Sequence, residues 1–215
     1  MTPPAGTRGV TRENLAQRTA VVLQKGRGTS PDVLLVESDR DLVVVKDFAA
    51  RGLLVGWILG PWLHNREVRA YRRLVDHPSV PRLLGRLDAR ALVVEHRGGT
   101  RFSRRRPWTF SPEFGRQLEQ AVQGLHALGV VHLDLRHRSN LRAAPDGRPL
   151  LLDFASAITF EPGSWGTRWL LPIAARVDRR AVRKWRRRVG RAQPPEDALS
   201  PGAASEGLRG ASRPT

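Results

Sequence analysis

Between positions 20 and 94 the apolar residues come in five short runs: 20–23 (AVVL), 33–36 (VLLV), 42–45 (LVVV), 83–87 (LLGRL) and 91–94 (ALVV). Runs this short, rich in Val and Leu and bounded by Gly, Ser, Pro and Asp, read as strands. The first three suit an antiparallel sheet, and the last two join it around the turn Asp88, Ala89, Arg90. One stretch between them keeps a different period. Leu63, Glu67, Ala70, Tyr71 and Leu74 fall on a single helical stripe that His77 and Pro78 end. The expectation is a five-stranded antiparallel sheet with one helix. That helix carries a glutamate on its apolar face, which is costly unless a cation meets it.

After residue 96 the pattern changes. His96, Arg97, Gly98 and Gly99 make a hinge. Ser111 as N-cap, Pro112 at the first helical position and Glu113 then start a helix whose stripe is Phe114, Leu118, Ala121, Val122 and Leu125, closed by Gly129. The fold class expected is α+β and two-lobed, a sheet with one helix followed by a short helical lobe. The boundaries are a loose arm over 1–17, a first lobe over 18–96, a second over 97–191, and a tail over 192–215 rich in Pro, Gly, Ala and Ser. No internal repeat is visible.

At 215 residues the chain is long enough for one such unit and too short for several. Its formal charge of +17 favours anionic partners: nucleic acid, lipid headgroups or phosphorylated molecules. An Arg-rich, Ala/Gly/Pro-rich composition is also what a bias towards GC-rich codons gives, the alternative reading of the arginine excess. The absence of cysteine excludes disulfides, zinc ribbons and thiol chemistry. The first 18 residues lack a secretory apolar core, and the longest apolar run, 53–63, is about half the roughly 20 residues a spanning helix needs. A cytoplasmic location is expected.

Chemistry concentrates in 125–141 (LHALGVVHLDLRHRSNL) and 150–155 (LLLDFA). Two apolar stretches each deliver an aspartate, Asp134 and Asp153, with Asn140 between them. Phosphoryl transfer wants that set: one carboxylate at the attacking hydroxyl and oxygen ligands for magnesium. The segments H-L-D-L-R-H-R-S-N and D-F-A resemble the catalytic and metal loops of the protein-kinase-like superfamily. In size and wording they look closest to small RIO-type kinases and bacterial lipopolysaccharide core-sugar kinases. The resemblance covers roughly residues 20–188.

It implies ATP and Mg2+ as cofactors, Asp134 as the catalytic carboxylate, and Asn140 and Asp153 as metal ligands. His132 would be a packing and hydrogen-bonding residue of the loop. Val43, Val44, Val45 and Lys46 resemble the strand whose lysine meets the nucleotide phosphates, and Glu67 its helix partner. Gly26 and Gly28 stand where a phosphate-covering loop belongs, or are simply a hairpin. Glu95, just before the hinge, and Arg97 within it offer the backbone that would read adenine, or Glu95 is a hinge residue with no direct role. Arg136 falls where a residue near the transferred phosphate belongs, or is a surface arginine.

Departures from the pattern are informative. Leu133 replaces an arginine that binds an activation-loop phosphate, and no A-P-E segment follows, so that mode of regulation is not expected. Ala155 replaces a glycine. Asn140 lies one residue late, which leaves Ser139 and Asn140 as alternatives for the second metal ligand. The acceptor implied is a hydroxyl of a protein or of a sugar on a larger molecule. A catalytically weak, pseudokinase-like binding module is the rival, and a basic nucleic-acid-binding protein the more distant one. Residues 165–191, with ten cations interleaved with Trp165, Trp169 and Trp185, read as a terminal helix that packs through Ala181, Val182, Trp185 and Val189 or docks an anionic surface.

Overall fold

The computed structural model describes residues 6–28, 30–49, 60–102 and 112–190. A short helix α1 (Leu15–Arg18) leads into β1 (Thr19–Gln24), β2 (Asp32–Glu37) and β3 (Leu42–Asp47). Helix α2 (Gly60–Arg73), β4 (Leu83–Asp88) and β5 (Ala91–Glu95) follow. The five strands form the antiparallel sheet that the apolar runs led us to expect, in the order β1-β2-β3-β5-β4.

Alternation along the strands decides what each sheet face meets. Val43 and Val45 of β3, with Ala91 and Val93 of β5, bury on one face against Val10, Leu15 and Val36. Leu92 and Val94 bury on the other, with Val44 packed beside them. Lys46 shares the face of Val44. A slip of one residue would send it to the opposite side.

The segment expected to be a loose arm covers the first of these faces from residue 6 onward. Val10 and Leu15 are in its core, and the Arg12 guanidinium donates to Asp47 at 2.5 Å and Asp88 at 2.8 Å, tying the ends of β3 and β4. Three apolar side chains in twelve residues, Val10, Leu15 and Ala16, show no period, so the sequence carried no signal for this contact.

The second half is not simply helical. Helices α3 (Pro112–Ala127) and α4 (Trp165–Gly190) are separated by a run of small strands. β6 (Thr100–Arg101), β8 (Leu141–Ala143) and β9 (Pro149–Leu151) form one sheet, and β7 (Val130–Val131) pairs with β10 (Ile158–Thr159) in another. Elements of two or three residues have no period to read, which is why the expected helical lobe lacked them. Ser111, the expected N-cap of α3, lies outside the described residues. Gly129 does end that helix region, with φ +74°, and a Cβ there would come within 2.5 Å of the Phe160 carbonyl oxygen.

Helices α3 and α4 pack through Phe114, Leu118, Val122 and Leu125 against Ala181, Val182 and Trp185, with the Phe102 ring 4.9 Å from that of Trp185. This core continues without a break to Val68, Tyr71 and Leu74 of α2 and to Leu92 and Val94 of the sheet. Among the described residues no helix is long and apolar enough to cross a membrane.

Candidate active site

A cleft of about 430 Å³ opens between the sheet and the segments after α3. Its walls include Val44 and Lys46 of β3, Val94 and Glu95 of β5, and Asp134, Ser139, Asn140 and Asp153 from the two motif segments. Three motifs far apart in sequence thus converge on one concavity of the size small ligands occupy.

Glu67 lies at 1% exposure on the buried stripe of α2, and Lys46 reaches it with Nζ to Oε1 at 2.5 Å. The same ammonium donates to Asp153 Oδ1 at 2.9 Å. Burial works against the lysine charge, but the carboxylates of Asp153 and Glu67 more than offset it and hold Lys46 well above the usual lysine range. Burial raises Glu67, opposed by Lys46. Asp153 moves down, chiefly through the Lys46 charge, and so stays ionised at neutral pH. An ammonium has three donors, and two are used here. The third has no acceptor among the described residues.

Local backbone conformation sets the aspartate. Asp153 has φ +65°, a left-handed conformation that Asp tolerates better than most residues, and it turns the chain into a 3-10 turn over Phe154–Ser156. Phe154 is fully buried, edge-on to Tyr71 at 5.3 Å and 4.7 Å from the His132 ring. The motif phenylalanine is therefore the peg that ties α2, with its glutamate, to both loops. Ala155 keeps a negative φ, so its side chain is accommodated where the resembling motif has glycine.

The 132–140 loop is held from within. His132 is wholly buried, and burial pushes its imidazole below the usual range, against the pull of Asp178. Neutral, it donates from Nε2 to the Leu152 carbonyl at 2.9 Å and accepts the Asp134 N–H at Nδ1, 3.3 Å. His132 is thus a bracket between the two aspartate segments. Asn140, also buried, donates from Nδ2 to the Asp134 carboxylate and carbonyl, both at 3.0 Å, while Ser139 Oγ donates to Asn140 Oδ1 at 2.8 Å.

Asp178 of α4 was missed by the sequence reading as a site residue. It is completely buried, accepts the N–H groups of His132 and Leu133 at 2.8 Å each, and lies 3.1 Å from His126 Nε2. Leu133 has φ +67°, a conformation unfavourable for leucine that these bonds sustain. Trp185 Nε1 donates to the Leu135 carbonyl at 2.7 Å. Helix α4 is bolted to the loop on both sides of Asp134. The signal was available: an acid on the apolar stripe Ala175, Asp178, Ala181, Val182, Trp185 invites the question asked of Glu67.

Other expected site residues fall less close. Gly26 and Gly28 do not line the cleft, although Gln24, Ser30 and Pro31 beside them do. The Gly26 N–H donates to Asp32 at 2.7 Å, and a Cβ there would meet the Ser30 carbonyl oxygen at 2.2 Å, so this glycine serves a tight hairpin. Glu95 and Arg97 both line the cleft; Glu95 accepts the Arg82 N–H at 3.2 Å and Arg97 donates to the Pro78 carbonyl at 2.5 Å. Arg136 faces away, into a smaller hollow against α4 lined also by Arg180 and Lys184.

Magnesium takes hard oxygen donors and completes its shell with phosphate and water oxygens. The ionised, half-exposed Asp153 carboxylate and the Asn140 carboxamide fit that chemistry. Among the described residues no three His, Cys, Asp or Glu side chains cluster to hold a metal by themselves.

No family model matches this chain. Over 161 residues, 73% of its length, it is 27% identical to a curated protein, the death-associated protein kinase dapk-1 of Caenorhabditis elegans. The matched part amounts to 8% of that much longer protein.

Proposed function

We propose that this chain is an ATP- and magnesium-dependent phosphotransferase that moves the γ-phosphate to a hydroxyl. The observation that carries the reading is the Lys46 ammonium held between Glu67 and Asp153 on one wall of a cleft that Asp134 and Asn140 also line. The similarity to a protein kinase points the same way. The wording of 134–140 keeps RIO-type kinases and lipopolysaccharide core-sugar kinases as the resembling groups, and with them a protein serine or threonine, or a sugar, as acceptor.

In this mechanism nucleotide enters the cleft with its base toward Glu95 and Arg97 and its phosphates toward Lys46. The free donor of Lys46 binds a phosphate oxygen, and Glu67 keeps the ammonium aimed. Asp153 and Asn140 would hold magnesium, which neutralises charge on the phosphates when bound. Asp134, about a third exposed, orients the acceptor hydroxyl and accepts its proton. The hydroxyl oxygen bonds to the γ-phosphorus, the bond to the β–γ bridging oxygen breaks, and ADP leaves.

A second reading has one observation in its favour. Asn140 Nδ2 already occupies an oxygen of Asp134, as befits a nucleotide-binding module without turnover. Incubating the protein with magnesium and γ-labelled ATP in a cell extract separates the two. Transfer of label to an extract component, falling at least about 10²-fold in Asp134→Asn while nucleotide affinity holds, is the expected result. Nucleotide binding with no transfer beyond that of the variant would establish the binding module instead.

A further inference from the structure

Helix α4 has two faces with different tasks. At 1.5 Å per residue its 26 residues extend about 39 Å. The inner stripe holds Asp178 and Trp185, and with them the 132–135 backbone. The outer stripe, at spacings of three and four, reads Trp165, Trp169, Ile173, Arg176, Arg180, Arg183, Arg187. Its three apolar members are 67%, 56% and 55% exposed, with Leu170 and Val177 open beside them. The four arginines are exposed and make no ion pair with a described residue. The helix has one acid, Asp178, and it is buried on the other side.

A purely cationic stripe would suit any polyanion, and a purely apolar one would suit a protein groove. Here the apolar half gives way to the cationic half along one helix face. That sequence matches a surface whose apolar and anionic layers lie a few ångströms apart, and tryptophan and arginine are the side chains that settle at such a boundary. The stretch from Trp165 to Ile173 covers only about 12 Å, against about 30 Å for a hydrocarbon core, so it can enter a bilayer surface and not cross it. We propose that α4 docks this chain on an anionic lipid bilayer, with Trp165, Trp169 and Ile173 in the headgroup boundary and Arg176, Arg180, Arg183 and Arg187 on lipid phosphates. Arg136 and Lys184, around the hollow between the loop and α4, extend the cationic surface towards Asp134. Docking then holds the loop that carries Asp134 about one helix diameter, roughly 10 Å, from the lipid surface.

The full-length protein, without nucleotide, is sedimented with vesicles of phosphatidylcholine alone and of equimolar phosphatidylcholine and phosphatidylglycerol, while tryptophan emission is followed. Recovery with the anionic vesicles and a blue shift are expected, each at least about tenfold weaker on neutral vesicles or in about 0.5 M salt. Each cation near a lipid surface contributes about fivefold to affinity, so R176Q/R180Q/R183Q/R187Q loses roughly 600-fold. W165S/W169S loses the blue shift as well as binding. All six positions are exposed, and unchanged thermal unfolding of each variant confirms that folding is intact. Equal recovery with both vesicle types, indifferent to the substitutions, overturns the proposal. So does absence from vesicles together with salt-sensitive retention on duplex DNA, or with self-association that W165S/W169S abolishes; these would make the face a nucleic-acid or chain-to-chain interface. Vesicle binding is read without ATP, so it stands or falls separately from phosphotransfer.

Discussion

At the scale of single residues, the buried pair of Lys46 and Glu67 is the most exacting commitment in the molecule. Removing either partner leaves the other charge in a poor dielectric, a loss of about 3–5 kcal/mol for a fully buried pair, eased here because Asp153 remains beside Lys46. Lys46→Met and Glu67→Gln are each expected to lower stability to urea, and the double variant should cost clearly less than their sum, because the second substitution removes a charge the first has already stranded. Additive losses in a denaturant cycle would mean that the two side chains do not interact. Asp153→Ala deletes an anionic oxygen that also accepts from Lys46, and leaves Glu67 as the acceptor of that ammonium. Calorimetric titration with ATP should show magnesium enhancing binding to the wild type and little enhancement in this variant. The pairing was legible because an acid on an apolar stripe and a lysine following three valines both break their local pattern. The left-handed backbone of Leu133 and Asp153 was not legible, since leucine disfavours it and Asp, though more tolerant, adopts it at few of its positions.

Among the elements, α4 shows where reading a pattern succeeds and where it stops. Its period foretold the helix and its buried Ala181, Val182 and Trp185. What the period does not disclose is the partner of that stripe, and Asp178 counted only as one acid among many cations. In the structure this fully buried carboxylate satisfies one buried and one partly buried N–H group at once. Asp178→Ala orphans both amides, and a loss of about 3–5 kcal/mol is expected. Asp178→Asn retains one acceptor oxygen and should cost less. Hydrogen exchange locates the effect: the amides of His132 and Leu133 should lose protection far more than those of the β3–β5 ladder. Equal loss everywhere would show that Asp178 supports the fold at large rather than this loop. The small strands β6 to β10 escaped the sequence for a different reason, being too short to carry alternation and dependent on tertiary contacts, β7 and β9 with α3 and β10 with α2.

Over the whole molecule, acid should be the most damaging solvent change. His64, His77, His96 and His132 all have their imidazoles pushed down by burial, His64 to about 4 with the nearby Arg86 charge adding to the effect. The ring of His64 is fully buried, and neither nitrogen has a hydrogen-bond partner among the described residues. A histidine whose folded pKa lies below its unfolded value of about 6.5 contributes stability that is complete above 6.5 and lost as pH falls through the folded value. For His64 that window runs from about 6.5 down to about 4. The loss there is on the order of 2–3 kcal/mol, a large share of a typical domain's stability. Each proton gained also adds to a net charge already at +17. Glu67 runs the other way, since burial raises its carboxyl, so wild-type data alone would mix the two effects. Urea unfolding of wild type and His64→Gln between pH 7.5 and about 4 separates them. The glutamine cannot take up a proton, so its stability curve should be flatter by that same 2–3 kcal/mol, with the curves diverging below about 6.5. Parallel curves across the range would mean that His64 is not held neutral by its surroundings.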